Sequence, residues 1–218
     1  MEQVLEKPEV IIEIPRKPQK TLPEITWTHK GVPHILSSIP IDAKSIIDVG
    51  CGRGIIGALA RIYRNPTKVV GVDVFTPYLD SCQKMGFYDK LVKWNLNHVP
   101  LPFRDKEFDV ATCVEVIEHL SKDSGACLIS ELERIANTVI ITTPNVMFTQ
   151  DAFDGNPFQE HVSCWSAAEF HRLGYKVYGI GDLNLFGRHV KYLSFLFSRF
   201  SYKFPVLYET LLACKTLT

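Results

Sequence analysis

Three residues that could do chemistry lie close together near the middle of the chain, and a fourth follows further on. Glu115, Glu118 and His119 have the spacing E-x-x-E-H, and His161 comes later. Glu115 and His119 would lie one turn apart on a helix. Two carboxylates and two imidazoles are suitable ligands for a divalent cation, which could help ionise a vicinal-diol or catechol hydroxyl. We therefore consider a divalent-cation site formed by these four residues.

Two other roles fit the same side chains. His119 or His161 could act without a metal, as the base that removes a proton from an acceptor hydroxyl. Alternatively, Glu118 and His119 could only cap the helix predicted at 119–136. The sequence leaves all three roles open, and His161, His119 and Glu118 are our candidate catalytic residues.

A glycine-rich turn, Asp48-Val49-Gly50-Cys51-Gly52-Arg53-Gly54, is a second chemical signal. Glycine permits positive φ and close approach of a ligand to the main chain, and the N-terminus of the following helix presents free amides. Dinucleotide sites use G-x-G-x-x-G at this place, but here the third glycine is Gly54 and position 55 is Ile. The turn predicts a site for a nucleotide or a carboxylate.

The ends of the next two apolar runs carry groups that a nucleoside would need. Asp73 ends the run Gly71-Val72-Asp73, and its carboxylate can accept hydrogen bonds from both hydroxyls of a ribose. The following run ends in Trp94-Asn95-Leu96. We expect Asp73, Asn95 and Leu96 to surround an adenosine.

The elements that must position these residues follow a regular pattern from Ser45 onward. Runs rich in Val and Ile alternate with helix-like stretches, as buried parallel strands and crossover helices do. This predicts an α/β fold with a doubly wound, Rossmann-like sheet of seven strands, mostly parallel with an antiparallel last strand, and helices on both faces. We place strands at 45–50, 68–74, 90–95, 108–114, 138–143, 175–181 and 209–217, and helices at 54–64, 76–86, 119–136 and 166–173.

We divide the chain into an extended or disordered arm (1–24), which contains four prolines, and one domain (25–218). Within the arm, Val10-Ile11-Ile12-Glu13-Ile14 could be an edge strand or an oligomer contact. Residues 144–164 form a long connection that we expect to cover the substrate. Residues 182–208 predict a helical insertion, whose apolar stripe either packs on the domain or contacts an apolar substrate or a membrane surface.

Composition narrows the range of partners. Lys plus Arg and Asp plus Glu both number 24, so no broad positive field favours a nucleic acid, and RNA is the less favoured acceptor. The six cysteines form no C-x-x-C pair and follow no secretory leader, so we expect reduced thiols and a cytoplasmic protein. The most apolar stretch, from Tyr192 to Cys214, is interrupted by charges and proline, so we predict no transmembrane segment.

Five ordered motifs resemble a known family. The sequences DVGCGRG, GVDV, NLNHVPLPFRDKEFD, CVEVIEHL and TTPN are together similar to the class I S-adenosylmethionine-dependent methyltransferases, in particular the group that includes the ubiquinone-biosynthesis O-methyltransferase. The E-x-x-E-H pattern with His161 is also similar to the small-RNA 3′-terminal 2′-O-methyltransferases, in which these residue types hold magnesium or manganese. His161 followed by Trp165 resembles an H-x-x-x-W stretch of the broader family.

The resemblance implies S-adenosyl-L-methionine as the cofactor and suggests roles for residues along its binding site. Gly50, Cys51 and Gly52, which follow Asp48, would line the methionine portion. Asp73 would bind the ribose, Val74 or Phe75 would cover the adenine, and Glu115 would approach the methionine amino end. The sequence departs from many relatives at Asn95, where they carry Asp; the amide oxygen can still accept a hydrogen bond from adenine.

Three functional hypotheses follow. The first is O-methylation of a small or lipid-like hydroxylated acceptor, with Phe148, Phe158, Trp165 and Phe197 around its apolar body. The second is metal-dependent 2′-O-methylation of an RNA end. The third is a non-catalytic, cofactor-binding subunit that activates a partner and docks through the arm at 1–24. The oligomeric state is left open.

Overall fold

One mixed β-sheet forms the centre of the computed structural model, which describes residues 10–13, 31–146, 150–152, 155–185, 188–190 and 201–217. Within these residues the sheet has nine strands in the order β1-β4-β3-β2-β5-β6-β9-β7-β8. The strands are β1 Val10–Glu13, β2 Ser45–Val49, β3 Lys68–Asp73, β4 Lys90–Lys93, β5 Phe108–Val114, β6 Ala136–Pro144, β7 Lys176–Leu185, β8 Arg188–Val190 and β9 Tyr208–Thr216.

The seven central strands confirm the predicted doubly wound, Rossmann-like sheet. Strands β4, β3, β2, β5 and β6 pair in parallel, and β9 lies antiparallel between β6 and β7. The seven predicted strands did not include the two edge strands, although an edge strand was one of the two roles considered for residues 10–14. Strand β1 pairs antiparallel with β4, so residues 10–13 form an edge strand, and β8 pairs antiparallel with β7.

Helices cover both faces of the sheet, as predicted. They are α1 Val32–Ser38, α2 Ile55–Arg64, α3 Thr76–Met85, α4 Lys122–Ile135 and α5 Ala167–Arg172. Side chains alternate between the two faces along a strand. Ile46 accordingly packs in the cluster that contains α1 and α2, whereas Ile47 packs in the cluster that contains α4 and α5.

Local signals explain where two of these helices begin. We predicted a helix from 119, but α4 begins at Lys122 because the Ser121 side chain accepts a hydrogen bond from the Ser124 amide and caps the helix. A short 3-10 turn, Ile117–His119, comes first. Helix α5 begins after Ser166, which forms a capping box with Glu169. The 3-10 turn leaves Glu118 and His119 between strand β5 and helix α4.

The helical insertion predicted at 182–208 is wrong where the structure describes it. Asp182-Leu183-Asn184-Leu185 continues strand β7, because polar and apolar residues alternate there with a period of two. Residues 188–190 form β8, which pairs with β7. Pro205–Leu207 form a 3-10 turn before β9. Residues 191–200, which carry most of the predicted apolar stripe and Phe197, lie outside the described residues.

The strand ends bring the chemistry-bearing segments to one edge of the sheet. The glycine turn follows β2, Asp73 ends β3, Glu115 follows β5 and Asn145 follows β6. Because these strands are parallel, their carboxyl ends share an edge, where ligands bind in open α/β sheets. None of the described helices combines the length and the apolarity that a membrane crossing requires.

Candidate functional site

The glycine turn forms a tight curl between β2 and α2. Gly50, Gly52 and Gly54 all have left-handed backbone, with φ of 72°, 51° and 86°. The amides of Gly50 and Cys51 both donate to the Val72 carbonyl oxygen, over 2.8 and 2.9 Å, which fastens the turn to the end of β3. Among the described residues, no heavy atom lies within 4 Å of where a Cβ at Gly52 would be, so the backbone there borders open space. The turn can therefore admit a ligand at Gly52.

Asp73 and the glycine turn are joined by a direct hydrogen bond. Asp73 Oδ2 accepts from the Gly52 amide over 2.9 Å, and Oδ1 accepts from the Phe75 amide over 2.9 Å. Burial raises the pKa of Asp73, and the amide hydrogen bonds oppose that shift. The remaining lone pairs of this carboxylate can accept from a diol. The contact places a fixed acceptor beside the open space at Gly52.

Asp48 is buried behind the turn and is fully engaged within the domain. It accepts hydrogen bonds from Tyr88 Oη over 2.7 Å, Thr112 Oγ1 over 2.9 Å and the Gly57 amide over 3.2 Å. Burial raises its pKa to about 6 despite these donors. Asp48 thus connects strand β2 to helix α2, so its contribution to a cofactor site would come through the position of the turn.

Cys51 packs as a buried side chain beside a second thiol. Its Sγ lies 3.9 Å from Cys82 Sγ, and Cys82 Sγ donates to the Gly52 carbonyl oxygen over 3.2 Å. The hydrogen bond with Cys82 and burial raise the pKa of Cys51 well above its ordinary value. Its thiol is therefore protonated near neutral pH, and the side chain lines the turn without the character of a nucleophile.

Asn95, expected to receive an adenine, already accepts hydrogen bonds from its own loop. Its Oδ1 accepts from the Asn97 amide over 3.1 Å and from Asn97 Nδ2 over 3.2 Å. Asn and Asp commonly form such local turns. An adenine amino group would have to replace the Asn97 side-chain donor. Leu96, the next residue, is buried, whereas Val74 and Phe75, which follow strand β3, are half-buried.

The structure brings three of the four proposed metal ligands together. Possible ligand atoms of Glu118, His119 and His161 all lie within 4.8 Å of one another. The two imidazole rings meet edge to face with their centroids 4.8 Å apart. Glu118 is buried, whereas both histidines are half-buried, so the group opens toward the surface on the imidazole side. Glu115 is not a member of this group.

Backbone hydrogen bonds hold His161 beside the other two residues. The amides of Val162 and Ser163 both donate to the Glu118 carbonyl oxygen, over 2.9 and 3.0 Å, and the His161 amide donates to the Gln150 carbonyl oxygen over 3.2 Å. Ser163 Oγ donates to the Ile117 carbonyl oxygen over 3.2 Å. The long connection is therefore fastened to the segment that carries Glu118 and His119.

The orientation of His119 suits a metal ligand or a base. Its Nδ1 lies 3.0 Å from the Glu160 carbonyl oxygen, so Nδ1 carries the proton in this contact and Nε2 has a lone pair. Burial lowers the pKa of His119, which favours the neutral imidazole at pH 7. Proteins usually orient a metal-binding histidine by a hydrogen bond from the ring nitrogen that does not bind the metal.

Two consecutive threonines at the end of β6 each donate to one of the two carboxylates. Thr142 Oγ1 donates to Glu115 Oε1 over 2.7 Å, and Thr143 Oγ1 donates to Glu118 Oε2 over 3.0 Å. Burial raises the pKa of Glu115 to about 7 and that of Glu118 well above its ordinary value. Glu115 also has positive φ, 54°, which is uncommon for a non-glycine residue and occurs most often at functional sites.

Both threonines belong to the TTPN motif, but the sequence did not predict their role, because the partner of a threonine hydroxyl depends on the folded chain. Asn145, which ends the same motif, donates from Nδ2 to the carbonyl oxygens of Val206 and Tyr208 and so fastens the segment before β9. Of the proposed aromatic lining, Trp165 is buried, Phe158 is exposed, and Phe148 lies outside the described residues.

Comparison with known proteins identifies the domain. Residues 47–138 match the model of a family described as "Methyltransferase domain". The small RNA 2′-O-methyltransferase of Mus musculus is 30% identical over 153 residues, which cover 59% of this chain and 36% of that protein. The mitochondrial ubiquinone biosynthesis O-methyltransferase of Dictyostelium discoideum is 25% identical over 124 residues, which cover 50% of this chain and 38% of that protein. The chain thus matches little more than a third of the length of these relatives.

A solved structure supports the same fold. The methyltransferase domain of bacterial CtHen1 superposes with a TM-score of 0.56 and 23% identity, over 86% of this chain and 98% of that one. At this identity the likeness establishes the architecture, and the family match establishes the kind of domain. Residues 47–138 therefore lie in a methyltransferase domain.

Proposed function

We propose that this chain transfers the methyl group of S-adenosylmethionine to one hydroxyl of a vicinal diol, and that the diol is the 3′-terminal ribose of a small RNA. The observation that carries the proposal is the cluster of Glu118, His119 and His161 at the carboxyl edge of the sheet. It contains ligands of the types that divalent cations accept from proteins. A cation held there could face two adjacent hydroxyls at once.

The proposed cofactor site combines the glycine turn with Asp73. S-adenosylmethionine, when bound, supplies an electrophilic methyl group. The open space at Gly52 is available for the methionine portion, and Asp73 beside it is available for the ribose hydroxyls. We propose Leu96, Val74 and Asn95 for the adenine, with Asn97 releasing the Asn95 oxygen as the adenine binds. We propose that Asp48 and Cys51 support the turn.

A divalent cation fits the proposed acceptor site because it would bind a carboxylate oxygen of Glu118 that otherwise lacks a partner among the described residues. Its Oε1 is buried and has no hydrogen-bond partner within the described part of the chain, which is costly unless a ligand or ion completes the site. Glu118, His119 and His161 would hold Mg²⁺ or Mn²⁺, with Glu115 as a fourth ligand if its carboxylate turns away from Thr142. The cation would supply positive charge that favours ionisation of the acceptor hydroxyl.

The chain's own residues would orient the acceptor. Methyl transfer requires the attacking oxygen to lie in line with the sulfonium methyl, so the acceptor must be held rigidly between the two sites. The connection at 144–164 would cover it, since backbone hydrogen bonds fasten this segment beside Glu118. If no cation is bound, His119 or His161 would instead receive the hydroxyl proton, because burial favours the neutral form of His119. We retain residues 25–218 as one domain and 1–24 as its arm.

The terminal ribose of RNA is our first candidate acceptor for two reasons. It carries a vicinal diol, and the mouse relative is a small RNA 2′-O-methyltransferase. A catechol-like small molecule is the second candidate. It is favoured by the equal numbers of acidic and basic residues, 24 each, and by the Dictyostelium relative, a ubiquinone biosynthesis O-methyltransferase. Both candidate acceptors carry two adjacent hydroxyls, so the same proposed cation site would suit either of them.

The test offers the full chain radiolabelled S-adenosylmethionine and Mn²⁺ with four acceptors. These are a short single-stranded RNA with a 3′-terminal diol, the same RNA ending in a 2′-deoxynucleotide, the same RNA with a 3′-phosphate, and a simple catechol. We expect label only in the first. Label in the catechol alone would favour the second candidate, and equal label in the diol and deoxy RNAs would contradict the terminal 2′-hydroxyl as the acceptor.

A further inference from the structure

Glu118 is held by a hydroxyl from the neighbouring strand. Thr143, fully buried near the end of β6, donates from Oγ1 to Glu118 Oε2 over 3.0 Å. The other carboxylate oxygen, Oε1, is buried without a hydrogen-bond partner among the described residues. The two oxygens of one carboxylate therefore differ: Oε2 is hydrogen-bonded to the sheet, and Oε1 is buried without a hydrogen-bond partner among the described residues.

We propose that Thr143 is a positioning residue for the cation site, an inference that rests on the proposed function. By fixing Oε2, its hydroxyl sets the plane of the Glu118 carboxylate and leaves Oε1 as the ligand atom beside His119 and His161. Hydrogen bonds to ligating carboxylates commonly decide their orientation, and their loss lowers metal affinity by about 10–100-fold.

The contact is specific to this carboxylate. Successive side chains of a strand point to opposite faces, so Thr142 and Thr143 lie on opposite faces of β6. Thr142 accordingly donates to Glu115, while Thr143 donates to Glu118. Glu118 belongs to the cluster with the two histidines and Glu115 does not. Of these two neighbouring hydroxyls, therefore, only that of Thr143 acts on a member of the cluster.

The test measures Mn²⁺ affinity by calorimetry on the full chain, without cofactor or acceptor, for the parent, Thr143→Val and Thr143→Ser. Val keeps the branched shape and removes the hydroxyl, whereas Ser keeps the hydroxyl. Thr138→Val is the matched control, because Thr138 is a buried threonine near the start of the same strand with its hydroxyl near Thr216 Oγ1. Melting temperatures in chelator report the stability of each variant.

We expect Thr143→Val to weaken Mn²⁺ binding about 10–100-fold, and both Thr143→Ser and Thr138→Val to bind within a few-fold of the parent. Should Thr143→Val not fold, Thr143→Ala removes the same hydroxyl and takes its place. A Thr143→Val protein with a lowered melting temperature but parental Mn²⁺ affinity would overturn the positioning role alone. Absence of Mn²⁺ binding by the parent would overturn the cation site itself, and this inference with it.

Discussion

Adding one methyl group at Gly50 or at Gly52 should have two different effects, although both glycines have left-handed backbone. The variants are Gly50→Ala and Gly52→Ala. A Cβ at Gly50 would lie 2.3 Å from Val116 Cγ2, which is far closer than real contacts allow. At Gly52 a Cβ would meet no atom of the described part of the chain within 4 Å. One variant therefore tests packing, and the other tests the open space proposed for the cofactor.

The magnitudes follow from these two environments. A non-glycine residue with left-handed backbone costs about 1–2 kcal/mol, and both variants bear this cost. Gly50→Ala also forces Val116 to move, and overpacking of this kind typically costs about 1–3 kcal/mol. We therefore expect the free energy of unfolding to fall by about 2–5 kcal/mol in Gly50→Ala and by about 1–2 kcal/mol in Gly52→Ala. Gly52→Ala should instead weaken S-adenosylmethionine binding by about tenfold or more.

Urea denaturation and calorimetric titration with S-adenosylmethionine measure the two quantities. The double variant Gly50→Ala/Val116→Ala should recover part of the loss, with a coupling energy of about 0.5–3 kcal/mol. Equal losses of stability in the two single variants would refute the packing argument, as would additive effects in the double variant. Parental cofactor affinity in Gly52→Ala would refute the assignment of the open space.

Three further predictions concern single side chains. Asp73→Ala should weaken S-adenosylmethionine binding by about 100-fold in calorimetry, because it removes two proposed ribose hydrogen bonds; an unchanged affinity would move the ribose elsewhere. Tyr88→Phe removes a hydrogen-bond donor to Asp48. Because burial raises the pKa of Asp48 in the folded protein to about 6, the folded state binds this proton more tightly than the unfolded chain does, and the parent's free energy of unfolding falls as pH rises toward 6. The variant should therefore lose about 1.5–3 kcal/mol at pH 8 and less at pH 5 in urea denaturation, and equal losses would count against it. His161→Ala should lower Mn²⁺ affinity by about tenfold or more, and parental affinity would exclude it as a ligand.

Much of the fold was accessible from the sequence because its strands are buried on both faces. The run 108–114 is continuous and apolar apart from Asp109 and Thr112, and strand β5 has these same limits. Short elements were missed for a physical reason. Helix α1 has only seven residues and β8 only three, so each is too short for its hydrophobic period to repeat often enough to be recognised. Residues 182–185 were misread because strand-like alternation ran into an apolar stripe with helical spacing.

The candidate site was only partly predictable. The E-x-x-E-H spacing pointed to Glu118 and His119, and the family resemblance pointed to His161; the structure brings the three together. The hydrogen bonds that hold these residues together could not be predicted from the sequence, because they join the Glu118 backbone carbonyl to two amides of a distant segment. For Asn95 the sequence suggested a ligand contact, but it did not predict that the side chain has a partner within its own loop. Its side chain suits an adenine, yet a local turn with Asn97 uses the same oxygen.

The position of strand β9 in the sheet affects the order in which the chain can fold. Strand β9 lies inside the sheet, and it joins β7 and β8 to the rest. A chain that stopped at residue 207 would contain every candidate site residue and still lack the central strand that connects the two parts of the sheet. During synthesis, the cofactor turn and the ligand cluster would therefore leave the ribosome well before the sheet can close, so folding to completion must await the final strand.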